Sequence, residues 1–137
     1  MTEAPAAEDL ARIDAFISAF NEGDVDRCLL LSSPELTVKT AREWPGGGSY
    51  SGERDVRAFL EQFLDPWERI RYEHEAPEAI CGRVVERARW VGSGRTSGIE
   101  SSVDFYSVWS LSDGLIARLD VFALREQARA SARSGAA

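Results

Sequence analysis

The chain has few of the side chains on which metal and nucleophilic chemistry usually depend. Its 137 residues include one histidine and two cysteines, and Lys39 is the only lysine. Cys28 and Cys81 lie far apart without C-x-x-C spacing, and one imidazole cannot complete a zinc site with them, so we interpret both as buried free thiols. Nothing around Lys39 supports Schiff-base chemistry. We therefore expect no metal and no cofactor.

Long apolar runs and a secretion signal are also missing. No segment approaches the ~18 apolar residues of a membrane span. The first five residues have neither a basic nor an apolar region, which predicts a cytoplasmic protein. The net charge of −7, with bases interleaved among acids, argues against nucleic-acid binding, which requires neutralisation of phosphates. The length and the 44% apolar content predict a single domain with one core.

The first half of the chain has mostly helical spacing. An apolar stripe begins after Glu8 and consists of Leu10, Ile13, Phe16, Ile17 and Phe20. Gly23 is suited to end this helix, and Asp24 to cap a second, short helix that closes at residues 32–34. A third helix begins near Glu53 and stops before Pro66. Its apolar face comprises Val56, Phe59, Leu60, Phe63 and Leu64.

The strands are predicted from alternation. Residues 36–42 form one strand and residues 70–75 another, after which Pro77 marks a bulge or interruption. Residues 83–91 and 99–111 follow, and Asp113-Gly114 is a hairpin signal leading into residues 115–124. This order predicts an α+β fold in which a long antiparallel meander wraps around the helices. We expect residues 1–7 to be disordered, residues 8–124 to form the domain, and residues 125–137 to be a tail with a short helix.

Residues 44–52 are rich in glycine and are predicted to be an irregular loop with two aromatic rings, Trp44 and Tyr50. Rings at the mouth or the floor of a pocket suit a mostly apolar ligand. Core packing explains the two rings about as well. The glycines do not form a phosphate loop, because the Gly-Lys-Ser/Thr ending is missing.

Several short motifs together carry a family resemblance. They are Phe20-Asn21-Glu22-Gly23-Asp24, the Gly-Gly-x-Tyr-x-Gly loop that ends at Gly52, the strand end Val108-Trp109-Ser110-Leu111, and the turn Asp113-Gly114-Leu115-Ile116. In order and spacing the chain resembles the SnoaL-like polyketide cyclase family, within the ketosteroid isomerase and nuclear transport factor 2-like superfamily, over roughly residues 8–124.

The resemblance implies a cystatin-like, cone-shaped α+β barrel whose curved sheet rolls around a helix and whose interior binds a small apolar molecule. It also implies a homodimer formed through the sheet. On such a cone we expect the ligand to contact Phe16, Phe20, Thr40, Trp44, Tyr50, Phe59, Val108 and Leu119. Some relatives are cofactor-free isomerases, cyclases, dehydratases or epoxide hydrolases, and others have no known activity.

The acid–base residues of the ketosteroid isomerases do not carry over to this chain. Their tyrosine donor falls at Phe16, their carboxylate base at about Thr40, and their protonated aspartate near Tyr106. Steroid isomerisation by that mechanism is therefore not expected. Asp120 is close to the last-strand aspartate of the cyclases and epoxide hydrolases but lies one residue early. Strand alternation then turns its side chain out, and that of Leu119 into the cone.

Three other residues are the catalytic candidates. If the face of residues 99–111 that carries Asp104 and Tyr106 lines the cone, these two form an acid–phenol pair in which desolvation raises the carboxyl pKa. The opposite face, with Phe105 and Trp109, is more apolar, and alternation alone does not choose between the faces. His74 is a possible inward general acid–base. The alternative is a partly exposed histidine paired with a neighbouring glutamate.

Glu86 and Arg89 are interpreted as solvated charges on the sheet surface, at most one of them pointing inward. Two functions follow from these residues. The favoured one is a non-catalytic dimer that binds a small apolar molecule, because the positioned acids of the family are missing. The alternative is a cofactor-independent acid–base enzyme that uses Asp104, Tyr106, His74 and Tyr50.

Overall fold

The computed structural model describes residues 4–40 and 47–134. Along the chain the elements are α1 (Ala7–Asn21), α2 (Val25–Leu30), β1 (Ser32–Lys39), β2 (Ser49–Ser51), α3 (Glu53–Leu64), β3 (Trp67–Ile80), β4 (Arg83–Gly94), β5 (Glu100–Ser112), β6 (Leu115–Phe122) and α4 (Arg125–Ser134). This confirms the predicted α+β class. No helix in these ranges combines the length and the apolar character needed to cross a membrane.

The sheet has six strands in the order β2-β1-β6-β5-β4-β3 and is curved without closing into a barrel. All neighbours are antiparallel except β1 and β6, which run parallel. The meander from β3 to β6 is antiparallel as predicted, and the parallel pairing of β1 with β6 was not predicted. A parallel pair needs a long crossover, and α3 with the β3–β5 meander supplies it between the two strands.

The first helix has the predicted stripe. Ile13, Phe16, Ile17 and Phe20 are buried against the sheet, and Gly23 follows the helix with φ +73°. Asp24 caps α2 by accepting a hydrogen bond from the backbone N–H of Arg27 at 3.1 Å. These local signals are confirmed because each depends on neighbours in sequence only.

The outer edge of β3 is covered by α1. The side-chain oxygen of Asn21 accepts a hydrogen bond from the backbone N–H of Tyr72 at 2.6 Å, and its amide donates to the Tyr72 carbonyl at 3.1 Å. The amide thus takes the place of a neighbouring strand at this edge. Further along β3 the register shifts between Glu75 and Glu78, and Ala76 has φ +53°, which confirms the bulge predicted at Pro77.

Three local predictions are wrong. Residues 32–34, predicted to close α2, already belong to β1, because Ser32 pairs with Ile116. Residues 49–51, predicted as irregular loop, form β2, because pairing with Thr37–Lys39 satisfies their backbone groups. Cys28 is buried as expected, but Cys81 is exposed in the β3–β4 turn.

Hydrophobic residues pack on both sides of the sheet. The inner cluster joins α1, α2 and α3 to one face and includes Ile13, Phe16, Phe105 and Trp109. The outer cluster lies on the opposite face, beneath α4. Its buried members are Ile80, Val85, Val108, Ala128 and Ala132. The tail helix therefore covers part of the outer face, which its small alanines allow it to approach closely.

A charge placed in the outer cluster tests this role of α4. We expect Ala128→Asp to lower the free energy of unfolding by about 3 kcal/mol, because it buries a carboxylate without a partner. Ala130→Asp is the matched control on the exposed side of the same helix, and we expect it to cost less than about 1 kcal/mol. Urea denaturation measures both values. Equal losses would contradict the packing of α4 on the sheet.

Candidate functional site

A cavity lies between α1, α3 and the inner face of the sheet. We call it the inner cavity. It encloses about 60 Å³, lined by Phe16, Ile17, Phe20, Val38, Thr40, Phe59, Leu60, Phe63, Tyr72, Trp90, Phe105, Leu119 and Val121. Among these residues only Thr40 and Tyr72 carry a hydroxyl, and the indole N–H of Trp90 is the one other polar side-chain group. Such a wall favours apolar occupants.

The size of the inner cavity limits what it holds without movement. A cavity of ~150 Å³ lined by apolar side chains holds benzene. A ligand of that size therefore needs the walls to move apart here. Phe59, Phe63 and Trp90 are only half-buried, and the rings of Phe63 and Trp90 meet edge to face at 5.3 Å. Rotation of these rings would widen the cavity toward solvent.

The structure brings most of the predicted ligand contacts together. Phe16, Phe20, Thr40, Phe59 and Leu119 all line the inner cavity. Tyr50 is one ring further out and stacks on Phe59 with a centroid distance of 4.5 Å. Trp44 lies outside the described residues. The role of these side chains in binding stays a prediction.

The sequence left open which face of β5 points inward, and the structure turns in the face that carries Phe105 and Trp109. Phe105, Ser107 and Trp109 point into the core, whereas Val108 is buried in the outer cluster and does not reach the inner cavity. The physical reason is that the more apolar face of an alternating strand buries against α1. Tyr106 shares the outer face with Val108, where its ring lies 5.4 Å from the guanidinium carbon of Arg125.

Asp104 is likewise on the outer face and does not reach the inner cavity. Its side chain is 53% exposed and accepts a hydrogen bond from the Arg89 guanidinium at 2.7 Å. That hydrogen bond holds the pKa of the carboxyl below its ordinary value. This contradicts the pKa rise predicted from desolvation, so the proposed acid–phenol pair with Tyr106 does not form in the cavity.

A buried carboxylate that the sequence analysis assigned to the surface lies beside the inner cavity. Glu86 is 1% exposed, accepts a hydrogen bond from the Trp109 indole N–H at 2.9 Å, and accepts another from Nδ1 of His74 at 2.9 Å. Nε2 of His74 faces Asp14 of α1 at 3.1 Å. The four side chains join α1, β3, β4 and β5, and we call them the His74 network.

Alternation along β4 contains a signal for the position of Glu86. Glu86 belongs to a series at two-residue intervals on one face, and the other members, Val84, Ala88 and Trp90, all pack into the inner cluster. A glutamate inside such an apolar series is expected to point inward with them. His74, considered either as an inward candidate or as a partly exposed histidine paired with a neighbouring glutamate, is 23% exposed and pairs with a glutamate of the adjacent strand β4.

The hydrogen bonds around His74 raise its pKa above the ordinary imidazole value, chiefly through Glu86, although burial acts in the opposite direction. Both ring nitrogens face carboxylates, so the imidazolium form satisfies both contacts. Tyr72 is hydrogen-bonded to Ser107, and burial followed by the charge of Glu86 raises the pKa of its phenol. Tyr72 therefore stays protonated and offers the cavity wall a neutral hydroxyl.

Within residues 4–40 and 47–134, no three histidine, cysteine, aspartate or glutamate side chains come close enough together to hold a metal ion. Burial raises the pKa of the Cys28 thiol to about 12, which keeps it protonated and unreactive. Among the described residues, the polar groups around the inner cavity are therefore the Tyr72 and Thr40 hydroxyls, the Trp90 indole N–H and the His74 network behind the wall.

A curved sheet packed around an N-terminal helix is a fold shared with several solved structures. The putative SnoaL-like polyketide cyclase from Jannaschia sp. is similar, with 16% identity, a TM-score of 0.72, and coverage of 98% of this chain and 99% of that one. TerC, co-crystallised with polyporic acid, is similar with 17% identity, a TM-score of 0.74, and coverage of 94% of this chain and 100% of that one. A hypothetical protein with a ketosteroid isomerase-like fold from Catenulispora acidiphila, in complex with trimethylamine, has 11% identity and a TM-score of 0.71. The match covers 81% of this chain and 83% of that one.

These similarities establish the nuclear transport factor 2-like fold. The model of the SnoaL-like domain matches residues 13–119, and the chain belongs to that family. The match spans α1 to β6 and confirms the resemblance found in the sequence. No curated protein matches the chain.

The pKa of His74 is a direct test of the His74 network. Because His74 is the only histidine, its ring signals in a proton NMR titration need no assignment. We expect a pKa above the ordinary value of about 6.5, and we expect Glu86→Gln to lower it. Because the pKa of His74 is higher in the folded than in the unfolded chain, the hydrogen bonds of its imidazolium stabilise the fold. This stabilisation is fully present below the unfolded pKa and is lost as pH rises through the folded pKa.

The raised pKa of His74 also predicts how the stability of the protein changes with pH. The free energy of unfolding of the wild-type chain should fall as pH rises from the unfolded pKa through the folded pKa of His74, and His74→Gln should remove that component. An unshifted titration in the wild-type chain, or one unaffected by Glu86→Gln, would contradict the network.

Proposed function

We propose that this protein binds a small, mostly apolar molecule in the inner cavity without catalysing a reaction. The observation that supports this is the wall itself, which is aromatic and aliphatic except for two hydroxyl-bearing side chains. Apolar area supplies affinity in such a site, and one or two polar groups orient the ligand. Thr40 and the protonated Tyr72 are the groups suited to orient it.

Access to the cavity is proposed to pass between α3 and the sheet. Phe59 and Phe63 project from α3 and are half-buried, and their ring centroids lie 6.0 Å apart. Rotation of either ring exposes the interior without breaking a hydrogen bond of the sheet. The small closed volume thus describes the ligand-free state, which a ligand widens by displacing these rings.

Two of the similar structures were crystallised with polyporic acid and with trimethylamine. At 17% and 11% sequence identity, these similarities support a shared fold but do not indicate which ligand this chain binds. They are consistent with small-molecule binding as the function of this chain, and the aromatic wall favours a cyclic or planar ligand over a charged one.

The alternative, a cofactor-independent acid–base enzyme, has less support. The described wall carries no carboxyl, imidazole or thiol group, and the raised pKa of Tyr72 disfavours a phenolate base. The His74 network is the one specific observation in its favour. His74 and Glu86, however, satisfy each other and Trp109, which fits a structural role between helix and sheet.

A homodimer is proposed through the part of the outer sheet face that α4 leaves open. There the strands place opposite charges side by side, with Glu73 opposite Arg89 and Arg89 opposite Asp104. A face with both signs can pair with its own copy across a twofold axis. The outer cluster beneath α4 is already buried within one chain and is not part of this surface.

Binding of the uncharged dye N-phenylnaphthylamine tests the cavity. We expect fluorescence enhancement that saturates. Phe63→Ala should tighten binding about fivefold because it opens space, and Val121→Phe should weaken it by about as much because it fills space. Phe122→Ala, a half-buried phenylalanine of the outer cluster, is the matched control and should leave the affinity unchanged.

Thermal denaturation of each variant establishes that it is folded at the assay temperature. If the dye binds all four proteins equally, the ligand occupies another surface and the proposed site is wrong. A reaction on any bound ligand that His74→Gln abolishes while binding persists would instead favour the enzyme.

Sedimentation at micromolar concentration tests the dimer. We expect a species of twice 15.1 kDa, and we expect Arg89→Glu to weaken it because it replaces the mixed charges of the proposed interface by acidic ones, which repel the same surface of the second copy. A sedimentation profile containing only the 15.1 kDa species in the wild-type protein would contradict the proposal.

A further inference from the structure

One helix forms both a wall of the inner cavity and a side of the His74 network. Phe16, Ile17 and Phe20 of α1 line the cavity. Asp14, on the same helix, faces Nε2 of His74 on β3 at 3.1 Å. A displacement of α1 away from the sheet would therefore widen the cavity and, at the same time, lengthen the contact between Asp14 and His74.

Helix α1 is hydrogen-bonded to β3 at a second place, which does not respond to pH. The side chain of Asn21 accepts from the backbone N–H of Tyr72 at 2.6 Å and donates to its carbonyl at 3.1 Å. Amide and peptide groups neither gain nor lose a proton near neutral pH. Of these two contacts, only the one between Asp14 and His74 changes with protonation.

The protonated ring of His74 satisfies both of its carboxylate neighbours. Its Nδ1–H donates to Glu86 at 2.9 Å, and its Nε2–H donates to Asp14 at 3.1 Å. The neutral ring has a single N–H, which Glu86 retains because its side chain is 1% exposed, whereas Asp14 is 70% exposed and reaches water. The lone pair of Nε2 then faces a carboxylate oxygen of Asp14, and two acceptors repel each other. Deprotonation of His74 therefore breaks the hydrogen bond to α1 and keeps the one to β4.

The other charges near His74 lie on the outer face of the sheet and nearly balance. Those that line a cleft with it are the acids Glu73, Glu75 and Asp104 and the bases Arg87 and Arg89. Arg89 donates to Asp104 at 2.7 Å. On the inner face, Tyr72 is the titratable neighbour along β3, and its raised pKa keeps the phenol protonated. The charges that act on the ring of His74 are therefore the two carboxylates of the His74 network.

We propose that protonation of His74 regulates ligand uptake by the inner cavity, because the protonated ring holds α1 against the sheet and the neutral ring releases it. Since it concerns the same cavity, this regulation rests on the proposed function. The closed cavity of about 60 Å³ is smaller than the ~150 Å³ of a cavity that holds benzene, so a ligand has to move the walls apart. Moving α1 costs the hydrogen bond to Asp14 only while His74 is protonated. Binding is therefore tighter at high pH.

Binding of the dye N-phenylnaphthylamine between about pH 6 and about pH 9 tests the regulation. We expect the affinity of the wild-type chain to rise about threefold across the titration of His74, the effect of one partly exposed charged contact. By linkage, saturating dye should lower the pKa of His74 by about 0.5 in a proton NMR titration. A histidine with a structural role alone would leave both values unchanged.

Asp14→Asn is the variant that removes the pH response, because an amide can donate to the neutral ring and accept from the protonated one. It should make the dye affinity independent of pH. The exposure of Asp14 means that the chain still folds after this change. Asp9→Asn is the matched control, since it makes the same substitution in the first turn of the same helix. It should keep the pH dependence of the wild-type chain.

The outcomes separate this regulation from the proposed function. Dye that binds with an affinity that is constant or falls as pH rises would overturn the regulation and leave the proposed function standing. A rise in affinity that persists in Asp14→Asn would overturn the regulation as well. Dye that binds at no pH would contradict the proposed function and the regulation with it.

Discussion

The structure depends on the burial of the apolar stripe of α1 against the inner face of β4, β5 and β6. Phe16 and Trp109 meet edge to face at 5.5 Å at the centre of this contact. Because strand side chains alternate, this single contact decides the face of every residue on the strands. The inner cavity is the space that α1 and α3 leave between themselves and that face.

The two faces of the sheet consequently have different chemistry. The inner face is apolar, and the buried carboxylate that the described residues place on it, Glu86, accepts hydrogen bonds from His74 and Trp109. That network links Asp14 of α1 to the strands, so the helix that forms one wall of the cavity is also held electrostatically. The outer face is charged, apart from the cluster that α4 covers.

Some residues of the inner cavity could be predicted from the sequence and others could not. Phe16, Phe20 and Phe59 were found because helical periodicity places them on one stripe, and Leu119 because alternation counted from a recognisable turn was correct. Asp104 and Glu86 were misplaced for one shared reason. Each stands on a strand whose two faces are both partly polar, and choosing between them requires knowing which one meets α1.

The sequence by itself determined the order of the helices and strands, the turn and cap positions, the bulge near Pro77 and the family, since each depends on local spacing or on a pattern preserved along the chain. Tertiary structure alone decided the parallel pairing of β1 with β6, the packing of α4 over the outer cluster, and the burial of Glu86. Each of these features brings together residues that are far apart in sequence. Their positions depend on how the helices and the sheet pack against one another.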